Sequence, residues 1–177
     1  MIVTRTYLSI ARPDDLIAPR DAEAPLVLYR ETPCTTVTWR ALYAQIGGPW
    51  HWHDRDTWTD DVLQTHLDRA SVRVFVVRLA HETGPAIART TAGGMLELEQ
   101  HADGSVEIVY LGLDRRLMGQ GLGAWLVSGA VREAFAWGAS HVWLHTCTLD
   151  APAALPNYLA RGFVITRTEQ YEATLPD

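Results

Sequence analysis

The chain has 177 residues, of which 47% are hydrophobic, and its 15 Lys+Arg against 21 Asp+Glu give a formal net charge of −6. These values are typical of one folded domain, and they exclude a disordered chain and a general nucleic-acid binder. All fifteen basic residues are arginine, which excludes a lysine-dependent phosphate loop and a Schiff-base lysine.

Cysteine content and the N-terminal sequence favour a cytoplasmic location. The two cysteines, Cys34 and Cys147, are too few for a disulfide framework or a zinc knuckle. Residues 1–7 lack the charged and apolar regions of a signal peptide, and no apolar run approaches the roughly 18 residues of a membrane span. We therefore expect a cytoplasmic protein with no membrane contact. No metal is expected, because a zinc site at His51 and His53 lacks further ligands at a recognisable spacing.

The first third of the chain predicts two strands and a helix. Ile2–Ile10 reads as a strand, and residues 11–25, with three prolines and charges of both signs, as an exposed loop. Residues 26–30 are strand-like. Apolar side chains then recur at helical spacing at Trp39, Leu42, Tyr43 and Ile46. Residues 47–49, Gly-Gly-Pro, end that helix.

A second helix is predicted to begin near Thr57, because Thr57-x-x-Asp60 is a weak capping signature. Its predicted inner face carries Trp58, Val62, His66 and Leu67. The β-branched run Val72–Leu79 then predicts a strand buried on both faces.

The rest of the chain predicts a sheet with later helices. Residues 86–98 and Val106–Leu113 are predicted strands, joined through a hairpin-type turn at 101–104. The remaining predicted elements are a helix at 122–137, a strand at 141–148, a short helix at 152–161 and a strand from Phe163. This order predicts a mixed α/β sheet, with antiparallel hairpins first and a crossover later.

The strongest local signal is residues 118–123, Met-Gly-Gln-Gly-Leu-Gly, between a predicted strand and the longest predicted helix. Glycines let the backbone turn tightly, so that successive N–H groups point outward at the helix N-terminus. Such an array, backed by the helix dipole, binds a phosphate or pyrophosphate. Taken alone, the pattern also fits a simple tight turn.

A dinucleotide-binding fingerprint is the obvious alternative, since Gly119-x-Gly121-x-x-Ala124 satisfies its spacing. Residues 114–118 separate the first glycine from the strand, however, and the acidic residue expected about 20 positions later is missing. Only about 55 residues follow the loop, too few for the rest of a doubly wound sheet. These features argue against dinucleotide binding.

Three motifs in order resemble the GNAT superfamily, the acetyl-CoA-dependent N-acetyltransferases. Met118-x-x-Gly121-x-Gly123 is similar to the family's pyrophosphate loop, Q/R-x-x-G-x-G/A, except that Met118 replaces the usual Arg or Gln. The Glu-Ile-Val sequence that begins at Glu107 is similar to the strand that carries the general base in histone-type members.

The third motif is Ala154-x-x-x-Tyr158-x-x-x-Gly162-Phe163, which resembles the family's closing signature, where the tyrosine faces the sulfur of CoA. The resemblance implies a GNAT fold: an α/β protein with a central, mostly antiparallel sheet and about four helices. It also implies one domain over 1–177, with an N-terminal strand and loop at 1–25, acceptor-side helices at 36–69 and an acetyl-CoA-binding core at 72–170.

The resemblance further implies which residues bind the cofactor. Acetyl-CoA is expected to contact Leu111, Leu113, Met118, Gly119, Gln120, Gly121, Leu122, Gly123, Ala124, Thr146 and Asn157. The backbone N–H of Leu113 is the implied oxyanion donor, where the strand bulges at a position that Gly112 would tolerate.

Acetyl transfer to an amine needs a base for the amine and an acid for the leaving thiolate. Glu107 is the predicted base, because burial within an apolar strand would raise its pKa towards neutrality. Its alternatives are solvation or pairing with an arginine. Glu97 and His145 are competing bases, each with a structural alternative. Tyr158 is the predicted acid, or else a core tyrosine.

The acceptor is expected beside the helices at 36–69. Trp50 and Trp52, followed by acidic residues such as Asp54, are able to hold a cationic amine by cation–π and charge contacts. Glu97 is a further candidate contact of the acceptor. Packing alone explains the tryptophans equally well.

The resemblance therefore implies an enzyme that moves acetyl from acetyl-CoA to a primary amine of a small molecule, by direct attack in a ternary complex. Two alternatives remain: a protein or peptide N-acetyltransferase, and a non-catalytic CoA-binding sensor of the same fold. A homodimer is expected by analogy with the superfamily, and no nucleic-acid partner is expected.

Overall fold

The computed structural model describes residues 1–20, 25–80 and 92–173. It contains a seven-stranded sheet in the spatial order β2-β3-β4-β5-β6-β1-β7. The strands are β1 (Ile2–Ile10), β2 (Leu26–Glu31), β3 (Val72–Leu79), β4 (Gly94–Gln100), β5 (Val106–Leu113), β6 (Val142–Cys147) and β7 (Val164–Glu172). The helices are α1 (Thr36–Leu42), α2 (Asp60–Leu67), α3 (Leu122–Ala136) and α4 (Ala154–Ala160).

The sheet has one parallel junction, and this junction is short. All other neighbouring strands run antiparallel. The parallel pair β5 and β6 is in register only at Val106↔Val142 and Glu107↔Trp143. Beyond Glu107 the two strands have no ladder between them, so the sheet opens in its middle.

One face of the sheet packs against α3 and α4. The inner side of α3 is apolar at helical spacing, and its buried residues include Leu126, Val127, Ala130, Val131 and Ala134. Gly138, just after the helix, has φ +98°, a left-handed conformation that suits glycine at a helix C-terminus. On the strand side, this first core contains Leu8, Ile10, Phe75, Leu96, Leu98, Val106, Ile108, Val142 and Leu144.

The other face packs against α1 and α2. Each helix begins at a threonine whose hydroxyl accepts a backbone hydrogen bond: Thr35 from Thr38 N, and Thr59 from Val62 N. Helix α1 continues into a π-type turn at Tyr43–Gly47 and a 3₁₀ turn at Gly48–Trp50. The second core joins Trp39, Leu42, Tyr43, Ile46, Leu63 and Leu67 to the strand residues Val72, Val74, Val76, Met95 and Tyr110.

The predicted mixed sheet is confirmed, and β1, β3 and β5 have the predicted bounds. The predicted start of the second helix at Thr57 is wrong, because Thr59 is the residue that caps it, and Val62 is 51% exposed rather than inward. Helix α4 begins two residues later than predicted. Of the predicted strand at 86–98, residues 86–91 lie outside the described residues.

Within the described ranges, no helix is long and apolar enough to cross a membrane.

Candidate active site

A cleft of about 490 Å³ lies where β5 and β6 separate. The glycine-rich stretch and the start of α3 form one side, together with α4. Residues 50–54, which precede α2, form part of the other side, and Arg5 on β1 and Tyr171 on β7 complete it. The opened strands form the floor, so that both sides meet over one short stretch of sheet.

The glycine-rich stretch presents backbone to the cleft. Gly119 and Gly121 have φ of +74° and +76°, in the left-handed region that glycine tolerates. A Cβ atom built at either glycine meets nothing within 4 Å, so the surface above them is open. Helix α3 begins directly after Gly121, and the N–H groups of its first turn have no partner within the helix. These residues fit a pyrophosphate group, with the positive end of a 15-residue helix behind it.

The exposed edge of β5 forms the centre of the cleft. Leu111 and Leu113 both line it. The strand bulges at Val109, because Leu98 pairs with Ile108 while Glu97 pairs with Tyr110. The bulge predicted near Gly112 therefore lies three residues earlier, and Leu113 is in regular register with Gly94.

Helix α4 supplies Tyr158 and Asn157 to the cleft. Tyr158 is 8% exposed and packs edge-on against Phe163, with ring centroids 6.0 Å apart. Burial raises the pKa of the Tyr158 phenol, so the hydroxyl keeps its proton at neutral pH. Asn157 lies opposite the start of α3, where its Nδ2 would be 3.2 Å from a Cβ at Gly123.

His145 lies on β6 and lines the cleft. Its ring is 5.7 Å from that of Tyr7, its cross-strand neighbour on β1. Desolvation and the nearby Arg5 charge lower the pKa of His145 below its usual value of 6.5, against the opposing effects of Asp150, Asp54 and Glu169. The imidazole is therefore neutral at pH 7 and able to accept a proton.

The segment before α2 supplies aromatic and acidic groups. Trp52 packs on Tyr110, with centroids 4.9 Å apart, and the Tyr110 hydroxyl donates a 3.4 Å hydrogen bond to Asp54. The Trp52 ring also lies against the backbone at Gly47 and Gly112. A side chain at Gly47 would collide with this ring, and one at Gly112 would collide with Ile46 and approach the ring closely. Trp50 lines the cleft beside them.

Glu97 lies beneath this segment in an ionic cluster and is not at the cleft. Its fully buried carboxylate accepts hydrogen bonds from Trp39 Nε1 (2.6 Å) and Arg55 Nη1 (2.8 Å), and it pairs with His66 Nε2 at 3.0 Å. Burial alone would raise the pKa of Glu97, but the bonds from His66, Arg55 and Trp39 outweigh burial and lower it. Because Glu97 is already bonded to three donors, the cluster fixes structure rather than contacting an acceptor.

Glu107 lies at the closed end of β5, among the residues that still pair with β6. Its carboxylate is 3.0 Å from His101 Nε2, and it is not among the residues that line the cleft. Burial raises the pKa of Glu107, while the bond to His101 opposes this effect. The structure therefore does not bring Glu107 together with Tyr158.

A family model for the Acetyltransferase (GNAT) family matches residues 37–163. The chain belongs to the GNAT family. No curated protein matches the chain.

Solved GNAT structures share its fold. An N-acetyltransferase from Sphaerobacter thermophilus superposes with a TM-score of 0.65 at 15% identity, over 94% of this chain and 50% of that one. One from Kribbella flavida gives 0.62 at 20% identity, over 93% and 55%. The chain thus spans about half the length of these two structures. An aminoglycoside acetyltransferase from an uncultured soil metagenomic sample, in complex with trehalose, gives 0.56 at 17% identity, over 80% and 90%.

Most of the predicted site residues line the cleft. Those that do are Leu111, Leu113, Met118, Gly119, Gly121, Gly123, Ala124, Asn157, Tyr158, Trp50 and Trp52. Three predicted cofactor residues do not. Gln120 donates its side-chain N–H to Arg116 O, Leu122 is buried between α3 and the sheet, and the Thr146 hydroxyl donates to Asp150 at 2.6 Å.

Sequence reasoning did not identify Arg5 or Tyr171 as site residues. Arg5 lies more than 100 positions before the loop at 118–124, and Tyr171 lies on the last strand. Only the pairing of β1 with β6 and β7 brings them to the cleft. Neither residue belongs to a local motif. The described residues contain no group of three or more His, Cys, Asp or Glu that is able to hold a metal.

Proposed function

We propose that the chain is an acetyl-CoA-dependent N-acetyltransferase that acetylates a primary amine of a small molecule by direct attack in a ternary complex. One observation carries this proposal: a single cleft joins an open, glycine-rich helix N-terminus to an aromatic and acidic wall, over the separated strands. The first feature suits a pyrophosphate and the second an amine. The membership of the GNAT family supports the same reaction.

On the donor side, the N–H groups at Gly119, Gly121 and the start of α3 would hold the pyrophosphate of acetyl-CoA. The unpaired edge of β5 beyond Glu107 offers backbone groups to the amides of the pantetheine arm, as an edge strand does to an added strand. Acetyl-CoA supplies the acyl thioester when it is bound. Asn157, at the start of the cleft between α3 and α4, is positioned to contact the same arm.

On the acceptor side, His145 is the proposed base, because it is the neutral imidazole at the cleft floor. In the reaction the amine nitrogen forms a bond to the acetyl carbon as the bond from that carbon to sulfur breaks. His145 takes the proton that the amine loses, and the Tyr158 hydroxyl gives a proton to the departing thiolate. The raised pKa of Tyr158 supports its role as a donor. Glu107 remains the alternative base, acting from outside the cleft.

The experiment is a thiol-release assay with acetyl-CoA and separate panels of small amines and peptides, with the acetylated product confirmed by mass. Tyr158→Phe should lower kcat by about 10²-fold or more while the Kd of acetyl-CoA is unchanged. Tyr29→Phe, at a 40% exposed position on β2, is the matched control and should keep full activity.

Each alternative has its own outcome in this assay. Unchanged kcat in Tyr158→Phe would remove the acid role. Release with peptides alone would indicate a protein N-acetyltransferase. Binding of acetyl-CoA without transfer to any acceptor would indicate a sensor domain. The small-molecule acceptor is favoured here because the aromatic wall encloses one side of the cleft, and because a structure of similar fold is an aminoglycoside acetyltransferase.

A further inference from the structure

An arginine stands beside the proposed base on the acceptor side of the cleft. Arg5 and Tyr7 are alternate residues of β1, and their partners on β6 are Cys147 and His145. Arg5 and His145 are therefore diagonal neighbours on one face of the sheet, typically about 7–8 Å apart at their backbones. Both side chains line the cleft. Their proximity agrees with the effect of the Arg5 charge on the pKa of His145.

The guanidinium of Arg5 is only partly hydrogen-bonded by the protein. Its Nη1 donates one long hydrogen bond, 3.4 Å, to Glu169 Oε1, and the group also interacts with the hydroxyls of Tyr7 and Tyr171. Its Nε is buried without a hydrogen-bond partner among the described residues, so a ligand would use the Nη donors. The group lies flat enough against Tyr171 for a cation–π contact, with 4.7 Å from Cζ to the ring centroid. It is therefore held in place but incompletely paired.

Glu169 neutralises this part of the surface only in part. The same carboxylate accepts a 2.7 Å hydrogen bond from the Tyr7 hydroxyl and also pairs with Arg167 at 3.4 Å. One carboxylate is thus shared between two arginines, and Arg5 pairs with no other carboxylate among the described residues. The carboxylates that line the cleft are Asp54, whose hydrogen bond comes from Tyr110, and Asp150, which is bonded to Thr146 and the backbone of Cys147.

We infer that the acceptor amine carries a carboxylate, and that Arg5 binds this carboxylate while the amine faces His145. The inference rests on the proposed function and names its substrate class. An α-amino acid is the simplest acceptor of this kind, because one carbon separates its amine from its carboxylate, and Arg5 and His145 are close neighbours on adjacent strands. Arginine suits this task, since its planar fork donates two parallel bonds to a carboxylate.

The experiment compares free amino acids with the corresponding amino-acid amides, which keep the amine and side chain but lack the carboxylate. In the unmodified protein, kcat/KM should favour the acids by about 10-fold or more. Arg5→Gln should raise KM for the acids by about 10- to 100-fold, with kcat little changed, and should change KM for the amides less than 3-fold. Arg5→Lys keeps the charge but loses the planar guanidinium, so its KM for the acids should lie between those of the unmodified protein and Arg5→Gln.

Arg167→Gln is the matched control, because it removes the other arginine that pairs with Glu169 and does not line the cleft. Its KM for the acids should change less than 3-fold. A binding readout is independent of turnover: with CoA present, acids and not amides should raise the melting temperature of the unmodified protein, and Arg5→Gln should abolish this shift.

Three results would overturn the inference. Amides used as well as acids would show that no carboxylate is recognised, and equal losses on acids and amides in Arg5→Gln would show a merely structural role. Both leave the proposed function intact. Transfer to no acceptor of either series would overturn the proposed function together with this inference.

Discussion

Glu97 carries a negative charge inside the second core, and three donors compensate it. Trp39, Arg55 and His66 all reach its carboxylate, and Arg55 and His66 are themselves buried. Removing one member of such a cluster leaves the others buried and unpaired, which costs about 3–5 kcal/mol. Glu97→Gln should therefore lower the free energy of unfolding by about this amount, measured by urea denaturation at pH 7.

Glu99 offers the control on the same strand, because its pair with Arg69 is half open to solvent. Glu99→Gln should cost at most about 1 kcal/mol. The pH dependence adds a second test. The folded-state pKa of Glu97 is lowered, so its stabilising effect is present above the ordinary value near 4.5 and is lost as pH falls through the folded value. A Glu97→Gln protein with unchanged stability would show that the cluster contributes nothing.

His145 makes the pH dependence of turnover a test of the base. The pKa of His145 is lowered from 6.5, so the imidazole is neutral at pH 7. We therefore expect kcat to fall only as the pH drops below 6.5. His145→Gln should lower kcat by about 10²- to 10⁴-fold and remove this acid limb. Glu107→Gln should leave both kcat and the acid limb of its pH profile unchanged. The reverse pattern, a limb lost only in Glu107→Gln, would assign the base to Glu107.

At the scale of elements, the parts of the site that local sequence encodes were predictable. The glycine-rich stretch and the strands β1, β3 and β5 were placed by turn chemistry and β-branched runs, which depend on neighbours in sequence. The bulge at Val109 and the shared face of Arg5 and His145 depend instead on strand register, which pairs residues distant in the chain. Sequence alone therefore located the glycine-rich side of the cleft better than the side that Arg5 and His145 line.

Gly112, near the end of β5, tests how the acceptor wall is held. A Cβ there would lie 2.6 Å from Ile46 Cγ2 and 3.4 Å from Trp52 Cη2, so the rings and side chains above must move. Gly112→Ala should lower the free energy of unfolding by about 1–3 kcal/mol and raise the KM of the acceptor more than that of acetyl-CoA.

Gly48 is the control for this substitution, because its Cβ would meet nothing within 4 Å apart from its chain neighbours. Gly48→Ala should leave both KM values unchanged. If Gly112→Ala behaved like Gly48→Ala, the Trp52 wall would be loose enough to adapt, and its contact with the backbone would not set the shape of the acceptor side.

For the whole molecule, the cleft lies where two cores meet the opened centre of the sheet. The α3 side borders the glycine-rich stretch, where we propose that the donor binds, and the segment before α2 forms much of the wall proposed for the acceptor. The strands between these two sides carry residues of both cores. A ligand that spans the cleft should therefore stabilise the folded protein as a unit, because it binds the folded state and not the unfolded one.

A thermal-shift titration measures this stabilisation. Acetyl-CoA or CoA at about 100 times its Kd should add roughly 2.7 kcal/mol and raise the melting temperature by about 5–10 °C, whereas NAD and NADP should have no effect. Gly121→Glu should abolish the shift, because a side chain there is strained at φ +76° and brings a negative charge to the pyrophosphate. Binding of CoA retained in Gly121→Glu would place the pyrophosphate elsewhere. A shift with the dinucleotides instead would mean that the glycine-rich stretch recognises a pyrophosphate in general, and that selectivity for CoA comes from the edge of β5 and from α4.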